Sequence, residues 1–224
     1  MLHHALICPG KGNRIHRHRT IQNCLQSLGQ KALGKTETHV EREPWITKNS
    51  IDEQGKKVDG LRGDLAFNEF HPQKRKSVID VRVFHPSTQT DKLKSEFKTQ
   101  EELKTKTYNA ACEDKSWEFI PFVISTDGAL APKAKDVLSR LSKHLSKKWG
   151  TSEGVVSNWM KARIAMATAR ASSACIRRNR KKPLGCEKEL EVDFDDKEGL
   201  SRLVGMEEQR GDPRGEDIIG NKES

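Results

Sequence analysis

Two aspartates sit inside apolar runs. Asp64 interrupts LRGDLAF (61–67) and Asp80 interrupts SVIDVRVF (77–84). Side chains alternate between the two faces of a strand. In 77–84, Ile79, Val81 and Val83 share one side, and Val78, Asp80, Arg82 and Phe84 share the other. In 61–67, Leu61, Gly63, Leu65 and Phe67 oppose Arg62, Asp64 and Ala66. A hairpin of the two strands brings the carboxylates together at one end of a sheet, with Arg82 beside Asp80. Two close carboxylates repel when both are ionised. A hard divalent cation, Mg²⁺ or Mn²⁺, offsets that repulsion because it prefers carboxylate oxygens, backbone carbonyls and waters. Held so, it activates a water and stabilises charge on a phosphate. The alternative from alternation alone is a pair of ordinary surface ion pairs, Asp64–Arg62 and Asp80–Arg82, on a solvent-facing sheet.

Charge patterning points to a polyanionic partner. The 224 residues carry a net charge of +9. From Pro183 to Ser224 there are 6 Lys/Arg against 13 Asp/Glu, so residues 1–182 hold 35 against 19. A basic body of that kind suits nucleic acid, with DNA the first candidate and RNA the second. No run of about 18 apolar residues is present, so no membrane-spanning helix is expected. The N-terminal MLHHALICPGKG has no apolar core of secretory length, so the address expected is nuclear or cytoplasmic. Five cysteines with wide spacings and no CxxC do not form a disulfide framework.

The elements that must position the two acids follow from periodicity. HRHRTIQNCLQSLGQKAL (16–33) predicts a helix, with Ile21, Leu25, Leu28 and Ala32 on one face. THVEREPWI (38–46) reads as a strand ended near Pro44, and 47–60 as a polar loop. Strands 61–70 and 77–84 flank HPQKRK. A charged helix over 91–112 precedes the strand 117–126, in which Pro121 implies an irregular or edge position. Two long helices follow. Over 131–150, Ala134, Val137, Leu138, Leu141, Leu145 and Trp149 form a stripe opened by Pro132 and closed by Gly150. Over 152–178, Val156, Trp159, Met160, Ile164, Ala167, Ala171 and Cys175 face inward. Beyond Lys182 the pattern dissolves, and 181–224 is expected to be a disordered acidic tail. The order predicts an α/β fold with a mixed sheet.

The Gly-Asp dipeptide at 63–64 followed by Asp80-Val81-Arg82 resembles the PD-(D/E)XK nuclease motif, with Gly63 for the motif's Pro and Arg82 for its usual Lys. The wider context resembles the restriction-like endonuclease region at the carboxyl end of non-LTR retroelement reverse-transcriptase polyproteins. The pieces are HHALICPGKG (3–12), RHRTIQNCLQSL (17–28), VEREPWI (40–46), GLRGDLAF (60–67), VIDVRVFHP (78–86), KTYNAAC (106–112), FIPFVISTDGAL (119–130), KKWG (147–150) and WMKARIAMATARASSACIRRNR (159–180). Their order, over roughly residues 3–180, is more specific than any one of them.

That resemblance implies a restriction-endonuclease-like mixed sheet flanked by helices over 14–180, followed by two long helices and the tail. It implies Mg²⁺- or Mn²⁺-dependent cleavage of a DNA phosphodiester bond, a nick that primes reverse transcription in such elements. Asp64 and Asp80 are the implied metal ligands, and Glu43 a third acid. The motif's lysine is filled by Arg82 in the strand, or by Lys106 or Lys104 from the next helix. Arginine does not deprotonate, so Arg82 alone stabilises charge but takes no proton. A catalytically inactive nucleic-acid-binding remnant is the alternative. Residues 1–13 resemble the back half of a zinc knuckle, His3-x4-Cys8. Its front cysteine pair would precede Met1, so zinc is not expected, since a structural site needs four ligands. His16 and His18 are expected instead to join Arg14, Arg17 and Arg19 as phosphate contacts. The run IRRNRKK (176–182) is a nuclear-import signal, a DNA-backbone contact or the solvated end of a helix.

Overall fold

The structure is a computed structural model that describes residues 12–36, 38–51, 54–55, 57–86 and 92–178. The expected knuckle remnant, apart from Gly12 and Asn13, and the expected acidic tail lie outside the described residues, as does the basic run beyond Arg178.

Four helices and a mixed sheet make the fold. In chain order the elements are α1 (Asn13–Leu33), β1 (Val40–Arg42), β2 (Ser50–Ile51), β3 (Lys57–Val58), β4 (Leu65–His71), β5 (Lys74–Phe84), α2 (Leu93–Glu113), β6 (Glu118–Ser125), α3 (Pro132–Trp149) and α4 (Glu153–Arg178). The sheet order is β1-β4-β5-β6, and β2 and β3 form a separate two-stranded ribbon. β1 and β5 are both antiparallel to β4, whereas β6 runs parallel to β5. A parallel neighbour needs a crossover, and α2 is that crossover.

Helices cover both faces. Leu65, Phe67, Ile79, Val81, Ile120, Phe122 and Ile124 pack with the buried stripes of α1, α3 and α4. On the other face Ala66, Val78 and Phe119 meet Cys112 and Tyr108 of α2, and Val123 meets Phe97. The stripe predicted for α3 is buried at Ala134, Val137, Leu138, Leu141 and Leu145. Full burial of a Val or Leu side chain is worth roughly 1.5–3 kcal/mol before entropy. Such burial holds a helix of otherwise polar composition in place.

Gly29, unfavourable in mid-helix, has a packing reason. A Cβ there would lie 2.7 Å from the Phe67 ring, so the missing side chain lets α1 approach the sheet closely. Pro121 sits in β6, the edge strand, where its missing N–H removes no ladder bond on the open side.

Three expectations require correction. The strand over 38–46 is only Val40–Arg42, because Glu43 takes a left-handed φ of 52° before Pro44. The polar stretch 47–60 contains the β2–β3 ribbon. The connection HPQKRK is mostly strand, since His71 pairs with Lys74 across a tight turn. A register shift between Asn68 and His71, with Glu69 at φ 57°, also puts Phe70 on the same core side as Phe67.

A half-buried polar pair ties α3 to β6. Arg140 donates to both Glu118 oxygens, at 2.9 and 2.8 Å, and Ser77 Oγ donates to Glu118 Oε2 at 2.6 Å. Burial alone would raise the Glu118 carboxyl, but these bonds and the Arg140 charge hold it below its ordinary 4.5. A depressed carboxyl adds stability that is present above its unfolded value and lost as pH falls through its folded one. Glu118→Gln is therefore expected to flatten the acid side of the stability curve below about pH 4.5. Thermal unfolding followed from about pH 7 to about pH 3 checks this.

Candidate functional site

The β4–β5 register, Leu65 opposite Ile79 and Ala66 opposite Val78, ends one residue after Asp64 and one residue before Asp80. The Asp64 N–H still donates to Ile79 O at 3.0 Å, but its carbonyl has turned away to accept from Glu43 N at 2.9 Å. β4 thus leaves the ladder at Asp64. The Asp64 side chain takes over, with Oδ2 accepting from the Val81 N–H at 2.6 Å. The Asp64 charge raises the Asp80 carboxyl, so the two acids lie within electrostatic reach of each other.

Each acid has a basic partner from a different helix. Lys104 Nζ of α2 lies 2.7 Å from Asp80 Oδ2, whose carboxylate is almost wholly buried. That contact is an ion pair lacking hydrogen-bond alignment, so Oδ2 carries no hydrogen bond. His18 Nε2 of α1 lies 2.9 Å from Asp64 Oδ1. Burial raises the Asp80 carboxyl above the ordinary carboxylate range, and the Asp64 charge adds to it against the pull of Lys104 and His18. The hydrogen bond to Asp64 raises the His18 imidazole, and burial opposes it. Tyr108, one turn after Lys104, has its hydroxyl pushed up to about 12 by burial and by Asp80. The five groups share one electrostatic field.

The other predicted residues are placed differently. Glu43 pairs with Arg62 at 2.9 Å, and both are nearly half exposed. Its side chain makes no contact with either aspartate, although its backbone N–H does. An exposed pair of this kind contributes roughly 0–1 kcal/mol. Arg82 is exposed on the Asp80 face, with Nε donating to Gln100 at 3.2 Å. Lys106 is exposed and away from the acids, so of the two lysines weighed from α2 it is Lys104 that reaches them. Gly63, in the place of the motif's Pro, has no room for a side chain. A Cβ there would lie 2.4 Å from Val78 Cγ1. Its N–H also donates to Pro44 O at 3.0 Å, a bond that proline could not make.

Sequence reasoning passed over His18 as a partner of Asp64, and it passed over Gln22, whose Nε2 donates to Asp64 O at 3.0 Å. No local signal announces contacts 46 and 42 residues apart in sequence. Lys104 did carry a signal. Phe97, Glu101, Lys104, Tyr108 and Cys112 recur every three or four residues, the inward stripe of α2, and Lys106 falls off it.

Asp64 lines a cleft of about 550 Å³ walled by α1 and the end of β5, and Asp80 lies buried behind it. Arg14, Arg17, Arg19, Arg62, Arg82 and Lys104 line it, with Glu43 and Asp64 the only acids. Its field favours an anion. Among the described residues, no group of three or more His, Cys, Asp or Glu side chains converges as a metal cage. Two oxygen-donor carboxylates suit Mg²⁺, which keeps several waters and takes one or two protein carboxylates, rather than zinc. Asp80 Oδ2 is buried and already faces Lys104 Nζ at 2.7 Å, so a cation held there would compete with that ammonium.

No protein-family model matches the chain, and neither does any curated protein sequence. By its own architecture it is a mixed α/β protein, with a mixed sheet and four helices among the described residues. Among the described residues no helix is long and apolar enough to cross a membrane.

Proposed function

We propose that this chain is a restriction-endonuclease-like, metal-dependent DNA endonuclease domain of the kind found in non-LTR retroelement polyproteins. The observation that carries the reading is Asp64 in the wall of a basic cleft, with its charge acting on the buried Asp80 of β5. A mixed sheet covered by helices on both faces is compatible with that fold.

Asp64 and Asp80 would hold Mg²⁺ or Mn²⁺, which supplies an activated water and offsets charge on the scissile phosphate. Lys104, on the Asp80 carboxylate and at the cleft wall, adds fixed positive charge where phosphate oxygens gain charge. Arg82 does the same from the outer side without exchanging a proton. Arg14, Arg19 and Arg62 bind the DNA backbone and set its register. Glu43, tied to Arg62, orients that arginine and contributes no ligand. A nuclear site of action follows from the substrate.

A second reading is a nucleic-acid-binding remnant without cleavage. It is favoured by the pairing of each aspartate with a base of the protein and by arginine at position 82 in place of lysine.

Nicking of supercoiled plasmid in Mn²⁺ separates the two, with Asp64→Ala and Asp80→Ala alongside. Nicking by the wild type that either substitution removes supports the nuclease. DNA binding without nicking by any of the three supports the remnant. In both cases affinity is expected to fall steeply with salt, with a logarithmic slope of about −0.9 per phosphate neutralised. Affinity measured across a salt series that stays flat contradicts a phosphate-binding cleft.

A further inference from the structure

α1 holds Asp64 at two points. His18 Nε2 meets the side chain at Oδ1 at 2.9 Å, and Gln22 Nε2 donates to the main-chain carbonyl at 3.0 Å. Positions 18 and 22 are one helical turn apart and so face the same way. The third contact is the Val81 N–H on Oδ2 at 2.6 Å. Asp64 lies one residue before β4 begins, where the strand ladder restrains it least. An aspartate carboxylate otherwise turns broadly about its last torsion. Of its two oxygens, Oδ2 is fixed by the backbone of the neighbouring strand, and His18 is what fixes the other. Gln22 is buried, whereas His18 lines the cleft and is about a third exposed.

We infer that His18 is a positioning residue for the acid pair: its bond to Oδ1 holds the Asp64 carboxylate in the orientation that serves the cation, and so sets divalent-cation affinity rather than the rate of the chemical step. The inference rests on the reading of Asp64 and Asp80 as a cation site. Ligating carboxylates are commonly oriented by such outer partners, and losing one costs about 10–100-fold in metal affinity.

The experiment compares wild type, His18→Ala and His18→Gln in the full chain. Mn²⁺ alone is titrated and followed by electron paramagnetic resonance, plasmid nicking is measured at saturating Mn²⁺, and the Val81 amide is observed by ¹H–¹⁵N NMR without metal. Because that amide donates to Asp64 Oδ2, it reports the carboxylate directly. His18→Ala is expected to weaken Mn²⁺ binding by about tenfold or more and to shift the Val81 amide upfield. His18→Gln, whose amide reaches to the same place, restores both. Nicking at saturation stays within about threefold of wild type, as expected when only cation affinity is lost. Unchanged Mn²⁺ affinity in His18→Ala overturns the inference and leaves the cation site standing, and so does failure of glutamine to restore it. A wild type that takes up no Mn²⁺ overturns both.

Discussion

Asp64→Ala and Asp80→Ala are each expected to lower Mn²⁺-dependent nicking by about 10³-fold or more, with DNA affinity changed by less than about tenfold. The split follows from geometry. On the proposed reading the cation-dependent step needs both carboxylates, and loss of an interaction made only in the transition state lowers turnover without lowering ground-state binding. About 10³-fold corresponds to roughly 4 kcal/mol of lost transition-state stabilisation, within reach of one electrostatic group in a site of this kind. On the proposed reading the DNA backbone is gripped instead by the cleft arginines of α1 and Arg62, which neither substitution touches. Removing a negative charge from a basic cleft should tighten ground-state binding slightly. Single-turnover nicking rates and equilibrium binding, measured separately on the three proteins, check the split. Loss of affinity in parallel with loss of nicking would mean that the aspartates serve the fold or the DNA surface and not the reaction.

Lys104→Ala is expected to have the largest effect on stability of any single change at the site, a loss of roughly 3 kcal/mol at neutral pH without metal. Breaking a buried ion pair leaves an uncompensated charge, and the cost is that of the orphan as well as the lost bond. Here the orphan is Asp80, only 6% exposed at its side chain and already raised by burial and by Asp64. Two consequences distinguish this from ordinary loss of packing. Asp80→Asn in the Lys104→Ala background recovers most of the lost stability, because no charge is left to orphan. Saturating Mg²⁺ stabilises Lys104→Ala more than it stabilises wild type, because the cation then meets an acid pair with no competing ammonium. Chemical denaturation of wild type, the two single variants and the double variant, with and without Mg²⁺, reads both effects. Equal stabilisation of wild type and Lys104→Ala by Mg²⁺ would contradict a cation site at Asp80.

The parts of this molecule legible in the sequence are those set by short-range periodicity. Alternation in β5 separated Ile79, Val81 and Val83 from Val78, Asp80 and Phe84, and the apolar members of the two sets lie in different cores. That alternation is also why Asp80 stood out, since a carboxylate on a strand with apolar residues on both faces must be buried at a cost in desolvation. The stripes of α1, α3 and α4 were legible for the same reason, and Pro121 marked an edge because a missing donor is a local fact. What was not legible depended on the backbone leaving its regular path. β1 stops at Arg42 because Glu43 adopts a left-handed conformation, rare for a residue with a Cβ. The same departure turns the Glu43 side chain to Arg62 and removes it from the acid pair. β5 begins earlier than its apolar run because Lys76 finds Glu41 at 2.6 Å across the sheet and lies 4.6 Å from the Trp117 ring. Neither contact follows from local pattern. His18 shows the limit most clearly. A histidine among arginines reads as one more basic residue until the tertiary fold sets it against Asp64.

Counting bound Mn²⁺ decides whether Asp64 and Asp80 together form a cation site. Titration of the apo chain, read as loss of the free-Mn²⁺ signal, is expected to show one saturable site per chain in the wild type. That site should disappear in both Asp64→Asn and Asp80→Asn, each of which keeps the fold by circular dichroism. No saturable site in the wild type, or a site that survives both substitutions, would contradict it.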